Sequence, residues 1–439
     1  MLTKEENDLL TLTGPGTPGG QLLRSYWQPA ALGEELPPGG PPIPVRLFSE
    51  DLVMFRDEQG RIGLLDLHCS HRATDLSYGR IEDGGLRCVY HGWLYDVNGK
   101  CLQTPAEPPG SHLKDFVRHK AYPCIEKGGV IFTYMGEGEP PLLPNYEVLS
   151  APAENCIITK HYHDCNYLQG LEGSQDPTHV RFLHRFLKTD SGTKKLEAFP
   201  QDLPDGQERN YREPPKEGFF GIRRVEENDF SVWAYIDGDE GKEIGGPEYT
   251  FPSLCLTRGG PQFPGDGYMI YWRVPIDDTH NWLFVLSFKR SGPIPEEHRY
   301  ARTWGIMTPD YHFKRQASNR YLQDREEQKT STFTGMGSVF VVQDSFANET
   351  QGPIQDRTKE MLGVADMSIV AWRRMMLKAI KDVQEGREPP GRITDPKINV
   401  VDPIFLKRNT APSDEELDEI LAETGGRVVR TLWRAPVTA

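Results

Sequence analysis

The chain of 439 residues has few cysteines, no long apolar run and fewer basic than acidic residues. Seven cysteines are sparse and odd in number, so a framework of disulfide bonds is not expected. No run reaches the ~18 consecutive apolar residues of a membrane-spanning helix. Lys and Arg number 50 against 64 for Asp and Glu, and the net charge of -14 disfavours contact with phosphate backbones. We therefore expect neither a membrane nor a nucleic acid among its partners.

The N-terminal segment MLTKEENDLL also lacks the features of a signal peptide, because acids stand where bases would precede an apolar stretch. A cytoplasmic location is expected, and reduced cysteines near histidines there indicate metal binding more than cross-links. Apolar residues at 37% and charged residues at 26% are ordinary for a globular protein. The length predicts two or three domains.

Turn signals and short alternating runs divide the chain into regions. Pro and Gly crowd at residues 36–44, and runs from Val45 to about Glu139 alternate as in a small antiparallel β domain. Beyond residue 150, IITKHYH predicts a strand, and YMIYWRVPI and WLFVLSFKR predict a hairpin. Residues 366–385 predict an amphipathic helix, and Ser413 caps a second one near the C-terminus.

The first group of possible metal ligands lies in the β domain, as Cys69-Ser-His71 and Cys88-Val-Tyr-His91. Each half offers one thiolate and one imidazole at a turn after a predicted strand. A Cys2His2 zinc finger instead groups cysteines with cysteines and histidines with histidines. The mixed pairing suits a two-iron cluster in which one iron binds both thiolates and the other both imidazoles. A structural zinc site of unusual ligand order, or chance spacing, are the alternatives.

Three glycines near these ligands favour the cluster over the alternatives. Gly84, Gly85 and Gly92 are expected to let two loops curl around inorganic sulfide and donate backbone N–H groups. Imidazole ligands remove negative charge, which stabilises the reduced cluster and raises its potential.

The second group of possible ligands is Asp176-Pro-Thr-His179-Val-Arg-Phe-Leu-His184, within NYLQGLEGSQDPTHVRFLH, which reads as a helix. On a regular helix the two histidines would point about 140° apart, so one metal requires a distorted or π-bulged turn. A carboxylate from elsewhere would complete the facial triad of a non-haem iron. Taken alone, such histidines are more often ordinary buried or surface residues.

Both groups carry a family resemblance. CSHR, CVYHGWLYD and the following GKC turn resemble the Rieske domain of ring-hydroxylating oxygenases, and Asp-x2-His-x4-His resembles the iron motif of the phthalate dioxygenase branch. The resemblance runs from GPGTPGG to about residue 386, but residues 187–265 match no family pattern. Rieske ferredoxins and the cytochrome bc1 subunit share the cluster motif only, and would be short or carry a membrane helix.

The resemblance implies a role for two further carboxylates. The stretch VVQDSFANETQGPIQDRTKEMLGVAD resembles the family segment with the remote iron ligand, which places that ligand at Asp344, with Asp356 and Asp366 as competitors. Asp176 is expected to bridge His179 to a cluster histidine of a neighbouring subunit and so to be required for catalysis. The simpler alternative is that Asp176 only caps a helix.

The implied fold is α+β, with a small antiparallel Rieske domain and a larger catalytic domain whose antiparallel sheet is wrapped by helices (helix-grip type). We expect an N-terminal arm (residues 1–44) packing on the catalytic domain, the Rieske [2Fe-2S] domain (45–140) and the mononuclear iron domain (141–439). A homotrimer or stacked trimers would bring one subunit's cluster near the next subunit's iron.

The implied function is the terminal oxygenase component of an NADH-dependent system that uses O2 to oxidise an aromatic carboxylate. Cis-dihydroxylation, as in phthalate 4,5-dioxygenase, is the first prediction, with O-demethylation of vanillate or dehydrodivanillate type as the alternative. A non-catalytic iron–sulfur electron carrier is a third possibility.

The electron donor has to be a separate protein. The chain shows neither a GxGxxG motif after a predicted strand nor the Cys-x4-Cys-x2-Cys spacing of plant-type ferredoxins, so a flavin- and ferredoxin-containing reductase is expected. It would dock near the cluster histidines, beside Tyr90 and Trp93.

A carboxylate substrate requires a cation, for which bidentate Arg is best suited. Arg223, Arg224 and Arg258 are the candidates, although each one alone is more often a solvated surface residue. The aromatic runs FFGIRR and DFSVWAYI would supply apolar pocket walls.

Overall fold

The computed structural model describes residues 1–187, 222–237, 243–258, 266–295, 306–399 and 427–429. In this part the helices are α1 Lys4–Thr11, α2 Pro18–Arg24, α3 Leu113–Phe116, α4 Tyr167–Gln175, α5 Arg325–Thr330, α6 Phe340–Glu349 and α7 Met367–Gln384. The strands are β1 Trp27–Leu32, β2 Ile43–Leu47, β3 Glu50–Arg56, β4 Ile62–Asp66, β5 Arg80–Glu82, β6 Gly85–Arg87, β7 Leu94–Tyr95, β8 Cys101–Gln103, β9 Ala121–Tyr122, β10 Cys124–Lys127, β11 Val130–Tyr134, β12 Cys156–His163, β13 Ile222–Glu227, β14 Ser231–Asp237, β15 Glu243–Thr250, β16 Leu254–Arg258, β17 Tyr268–Pro275, β18 Asn281–Phe288 and β19 Arg427–Val429.

The N-terminal helices lie on the catalytic part of the chain. Helix α1 begins with a capping box in which Thr3 Oγ1 accepts from Glu6 N–H and Glu6 accepts from Thr3 N–H. The carbonyl of Leu10 accepts from the Tyr167 hydroxyl at 2.8 Å, and α1 and α2 both contact α7. Strand β1 follows them but pairs with β11 of the β domain. The boundaries at residues 44 and 140 stay predictions.

The first domain consists of three small antiparallel sheets, in the orders β2-β3-β4-β9, β5-β6-β7-β8 and β1-β11-β10. A compact core lies between the first two of these sheets and includes Cys69 and Cys88, with Phe55, Leu86 and Tyr95 fully buried. The prediction of a small antiparallel β domain is therefore confirmed.

An eight-stranded antiparallel sheet forms the centre of the second domain, in the order β12-β18-β17-β16-β15-β14-β13-β19. The predicted hairpin is β17–β18, in register from Tyr268↔Phe288 to Pro275↔Asn281, and IITKHYH lies on β12. Alternation along β17 gives the sheet two buried faces. Trp272 packs toward the first domain, 5.5 Å from the Phe132 ring, whereas Arg273 lies against Gly170 of α4.

The two domains are joined through buried contacts. Lys160 of β12 donates to both carboxylate oxygens of Glu35, at 2.9 and 3.1 Å, and its side chain is only 6% exposed. Its ammonium group also lies over the rings of Trp282 and Tyr311, at 4.2 and 5.0 Å. A single apolar core continues from the β1–β11 sheet into the large sheet. The domains therefore share one interior.

The predicted helix over 366–385 is α7, which begins at Met367 and ends at Gln384. The second predicted helix, after Ser413, lies outside the described residues. In the part of the chain that the structure describes, no helix is both long enough and apolar enough to cross a bilayer.

Candidate iron centres

The Cys69 and Cys88 loops share one hydrogen-bond pattern. In the first, Cys69 N–H donates to the Thr74 carbonyl and Ala73 N–H donates back to the Cys69 carbonyl, at 2.9 and 2.8 Å. In the second, the same two bonds join Cys88 to Trp93 and Gly92, at 2.8 and 3.0 Å. The fifth residue of each loop has positive φ, at +57° for Ala73 and +74° for Gly92. Each loop thus turns back on its cysteine.

Of the three glycines expected around the cluster, only Gly92 lies within a cysteine loop; donation of glycine N–H groups to sulfide stays a prediction, since Gly92 N–H donates to the Cys88 carbonyl. Gly92 lies in the Cys88 loop, where its positive φ closes the turn. Gly84 instead forms, with Asp83, the two-residue turn of the β5–β6 hairpin, and Gly85 begins β6. These two glycines therefore shape the β5–β6 hairpin, which precedes the cysteine loop in the chain.

The sulfur and nitrogen ligands differ in exposure. Cys69 and Cys88 are 2% and 3% exposed, whereas His71 is exposed and His91 is partly exposed. The two imidazole rings meet edge to face at 4.4 Å. Trp93 stacks beneath His71 at 4.6 Å and is only 6% exposed, so it supports the ring. Tyr90, 54% exposed, does face solvent.

The spacing of these four ligands suits a group larger than one ion. In the described residues, three possible ligand atoms come within 4.8 Å of one another at His179, His184 and Asp344 but not at the cysteine loops. Two buried thiols below two exposed imidazoles, without close contact among all of them, fit a two-iron cluster better than a tetrahedral zinc ion.

A polar group lies behind Cys69. The Tyr95 hydroxyl is 3.2 Å from Cys69 Sγ, and the Tyr95 ring stacks on His119 at 4.6 Å. His119 Nε2 lies 2.8 Å from the Asp66 carbonyl, which can only accept, so Nδ1 accepts from the Ser70 hydroxyl at 2.7 Å. Tyr95 and His119 are both buried and were not predicted. Their spacing from the cysteines in sequence gave no signal of this contact.

The second centre brings His179, His184 and Asp344 together. The two Nε2 atoms lie 3.2 Å apart, and Asp344 Oδ1 lies 3.0 Å from His184 Nε2 and 3.5 Å from His179 Nε2. Three atoms at these distances can converge on one ion, and two imidazoles with one carboxylate form the donor set of a facial triad. The residues present therefore fit a mononuclear iron.

The histidines follow a helix and do not lie within one, which corrects the predicted helix over this segment. Helix α4 ends at Gln175, and His179–Arg181 form a 3₁₀ turn. The reason is Pro177, which disfavours helical φ/ψ at Asp176. Asp176 Oδ1 then accepts from Thr178 N–H at 2.7 Å. Because the chain leaves the helix here, the two histidine side chains can approach each other, whereas on a regular helix they would point about 140° apart.

The two histidines are supported differently. His184 is 4% exposed, stacks on Phe340 at 4.4 Å, and its Nδ1 lies 2.7 Å from Oε1 of Gln343. The His179 side chain is 21% exposed, and its Nδ1 lies 3.6 Å from Asp176 Oδ2 without a hydrogen bond. Gln343 was not predicted, although it directly precedes Asp344 in sequence.

Charge at the second centre is balanced among neighbours. Burial lowers the pKa of His179, but the Asp176 and Asp344 carboxylates outweigh burial and raise it to about 10. Burial likewise raises the pKa of Asp344, but the facing His184 and His179 rings hold it well below its usual range. The carboxylate is thus anionic throughout the neutral range, as a cation ligand has to be.

The competing acids lie elsewhere. Asp356 is exposed and pairs with Lys359 at 2.8 Å, and Asp366 accepts from Gly363 N–H at 2.7 Å. Arg223 and Arg224 lie on β13 and Arg258 ends β16, but their side chains fall outside the described part of the structure. The structure therefore brings Asp344 to the histidines and leaves the substrate contacts as predictions.

Comparison with known proteins identifies the chain's relatives. A family model described as the Rieske [2Fe-2S] domain matches residues 26–124, and one described as LigXa C-terminal domain like matches residues 264–404. The chain is 34% identical over 406 residues to the phthalate 4,5-dioxygenase oxygenase subunit of Pseudomonas putida, covering 89% of each protein. It is also 34% identical over 439 residues to the 5,5'-dehydrodivanillate O-demethylase oxygenase subunit of Sphingobium sp. (strain NBRC 103272 / SYK-6), covering 97% of this chain and 91% of that one.

Solved structures show the same fold. Dicamba monooxygenase bound to dicamba superposes with a TM-score of 0.55 at 17% identity, over 83% of this chain and 99% of that chain. NdmA of Pseudomonas putida CBB5 with caffeine gives 0.56 at 19% identity, over 84% and 94%.

The chain therefore belongs to the Rieske non-haem iron oxygenases. Within this class it is an oxygenase alpha subunit of the phthalate dioxygenase-like branch, and its cofactors are a Rieske [2Fe-2S] cluster and a mononuclear iron. As an oxygenase subunit it works with a separate electron-transfer protein. The family, the α+β fold and the enzyme class predicted from sequence are confirmed, and the alternative of a non-catalytic carrier is not supported.

Proposed function

We propose that this oxygenase oxidises an aromatic carboxylate by cis-dihydroxylation, with Cys69, His71, Cys88 and His91 holding the cluster. His179, His184 and Asp344 would hold the mononuclear iron. The observation that carries this proposal is the 34% identity to the phthalate 4,5-dioxygenase oxygenase subunit over 89% of both chains. The 3-chlorobenzoate-3,4-dioxygenase oxygenase subunit of Comamonas testosteroni, 32% identical, supports an aromatic acid as the substrate class.

O-demethylation of an aromatic methyl ether is the second candidate. The dehydrodivanillate O-demethylase subunit matches at the same 34% identity and over more of the chain, 97%. The two reactions differ in which carbon is presented to the reactive centre. Arg223, Arg224 and Arg258 are proposed only as contacts to the substrate carboxylate, which both reactions would share.

Each proposed ligand has a defined task. When bound, the cluster supplies single electrons and the mononuclear iron supplies the reactivity toward dioxygen. Asp344 contributes the negative charge of the triad, while His179 and His184 bind as neutral imidazoles. His179 begins a 3₁₀ turn after α4 and His184 lies in the turn that follows it, and the two Nε2 atoms are 3.2 Å apart.

We propose that the subunits form a head-to-tail trimer, or stacked trimers, in which Asp176 connects one subunit's iron to its neighbour's cluster. The exposed His71 and partly exposed His91 rings are available to a neighbouring chain, and the Asp176 side chain is 24% exposed beside His179. The electron donor would be a cytoplasmic flavin- and ferredoxin-containing reductase that oxidises NADH.

A substrate screen tests the reaction. Purified oxygenase, a surrogate reductase and NADH would be supplied with phthalate, halobenzoates, vanillate, dehydrodivanillate and a set of neutral aromatics, and O2 uptake, diol and formaldehyde would be measured. Diol from a benzoate or phthalate supports dihydroxylation, and formaldehyde from a methoxylated acid supports the second candidate. Substrate-dependent O2 uptake with neutral aromatics and with none of the acids would contradict the carboxylate class.

Asp176→Asn tests the bridging role. The variant should retain both metal centres by iron and sulfide analysis, yet lose at least 100-fold in turnover. The reason is that a neutral amide lacks the negative charge that the carboxylate would place between the two imidazoles. Asp356→Asn, an exposed acid paired with Lys359, is the matched control and should keep parental turnover. Parental turnover in Asp176→Asn would remove the bridge.

A further inference from the structure

The proposed metal ligands His179 and His184 differ in how their outer nitrogen atoms are held. His184 Nδ1 makes a 2.7 Å hydrogen bond to Gln343, whereas His179 Nδ1 makes no hydrogen bond and lies 3.6 Å from Asp176 Oδ2. His184 is also the more enclosed of the two, because Phe340 covers one face of its ring. The contrast identifies Gln343 as the residue that holds one ligand firmly.

The hydrogen-bond network determines the orientation of the Gln343 amide. Its Nε2 donates to the Gly337 carbonyl at 2.6 Å and lies 3.4 Å from Thr334 Oγ1. A carbonyl oxygen can only accept, so Nε2 has to face Gly337 and Oε1 has to face His184. His184 Nδ1 is therefore the donor, and Nε2, on the side of Asp344, keeps its lone pair.

The loop around Gly337 is itself well anchored. Gly337 N–H donates to Glu327 Oε1 at 2.8 Å, and Gly335 N–H donates to Thr332 Oγ1 at 3.0 Å. Backbone bonds also tie this loop to the chain that follows His184, from Phe333 N–H to the Arg185 carbonyl at 2.9 Å. The amide acceptor is thus fixed relative to the histidine from two sides.

We propose that Gln343 is the positioning residue for the mononuclear metal, by fixing the tautomer and ring orientation of His184. The inference rests on the proposed role of His184 as a ligand. Gln343 is fully enclosed, at 1% exposure, and presents a neutral acceptor, so it orients the imidazole without adding a second negative charge to the Asp344 side of the site.

The decisive experiment compares three variants in metal affinity. Protein depleted of mononuclear metal but retaining its cluster is titrated with Co(II) against a chelator. Gln343→Leu should bind Co(II) roughly 10- to 100-fold more weakly, the usual loss when such an outer partner is removed. Gln351→Leu, the same change at an exposed position just beyond α6, should bind as the parent does.

Gln343→Glu separates positioning from loop structure. Its carboxylate can accept from His184 Nδ1 but cannot donate to the Gly337 carbonyl. Affinity near the parental value in Gln343→Glu, together with weak binding in Gln343→Leu, supports the proposal. Equal losses of Co(II) affinity in both variants would assign the effect to the loop around Gly337 and contradict the proposal. Parental affinity in Gln343→Leu would overturn the proposal. A parent protein that binds no Co(II) would instead refute the proposed ligand set.

Discussion

At the scale of single residues, the contact between Tyr95 and Cys69 connects protein structure to redox chemistry. As the proposed cluster ligand, Cys69 would be a thiolate, so the Tyr95 hydroxyl would be the donor across the 3.2 Å contact. Burial raises the pKa of Tyr95, and the hydroxyl therefore keeps its proton at any working pH. A donor to a ligand sulfur stabilises the more negative, reduced cluster.

Tyr95→Phe should lower the midpoint potential of the cluster. One lost hydrogen bond of about 1 kcal/mol corresponds to roughly 40 mV for a one-electron couple. The potential would be measured by redox titration of the cluster spectrum. Tyr78→Phe, at a tyrosine that is 75% exposed, is the control and should leave the potential unchanged. An unshifted or higher potential in Tyr95→Phe would show that this bond does not tune the cluster.

Residues of distinctive chemistry were the ones that sequence could predict. Cys69, His71, Cys88 and His91 stand in a spacing that few other sites share, and the structure gathers His179 and His184 with the remote Asp344. Gln343 could not be predicted, because its role depends on contacts that form only on folding. Its Nε2 then faces the Gly337 carbonyl and its Oε1 faces His184 Nδ1.

At the scale of secondary-structure elements, Glu172 joins three segments around the iron site. Its carboxylate, on α4, accepts from Arg357 Nη2 at 2.8 Å and from Arg373 Nε of α7 at 2.6 Å. All three side chains are buried. Burial raises the pKa of Glu172, but the two arginines outweigh burial and hold it below its usual value.

Glu172→Gln should destabilise the protein at neutral pH by about 3 kcal/mol, since it leaves the buried Arg357 without its counter-charge and Arg373 with Glu360 alone. A depressed carboxyl pKa contributes stability above the ordinary value of 4.5, and that contribution is lost as pH falls through the folded-state value. The difference from the parent should therefore shrink below pH 4.5. Urea unfolding of both proteins at pH 7 and pH 4 measures it.

Glu385→Gln serves as the control for this prediction. Glu385 is 44% exposed at the end of α7, so its loss should change the free energy of unfolding by less than ~0.5 kcal/mol. A Glu172→Gln penalty that stays constant between pH 7 and pH 4 would contradict the assigned titration.

Element types were predicted better than element ends. The β17–β18 hairpin and α7 follow from alternation and from helical periodicity over long segments. The prediction of a helix that continues to His184 was wrong. The apolar pattern continues past Pro177, but Asp176, the residue before this proline, is disfavoured in helical φ/ψ, so the helix ends there. Pairing of β1 with β11 was also unpredictable, since the strands are separated by most of a domain in sequence.

At the scale of the whole molecule, the proposed trimer makes the two centres of one active site belong to different chains. Mixed trimers of a His71→Ala subunit and a His179→Ala subunit test this arrangement. Any closed ring of three that contains both variants has a single interface where an intact cluster faces an intact iron.

Purified mixed trimers should therefore recover about one third of parental turnover, although each variant alone is inactive. The trimers would be isolated through two different affinity tags after coexpression, and substrate-dependent O2 uptake would be measured. Trimers that remain inactive would show that electrons do not pass between neighbouring subunits.

The buried pair of Lys160 and Glu35 also limits how electrons can travel. Separating the domains would remove the Lys160 ammonium group from its carboxylate and aromatic partners. It would also expose to water the apolar interior that both domains share. A carrier that swings on a flexible tether can shorten its jump to an acceptor. Here the cluster domain is packed against its own chain, so in the proposed trimer the tunnelling distance would be set when the subunits assemble and not during each turnover.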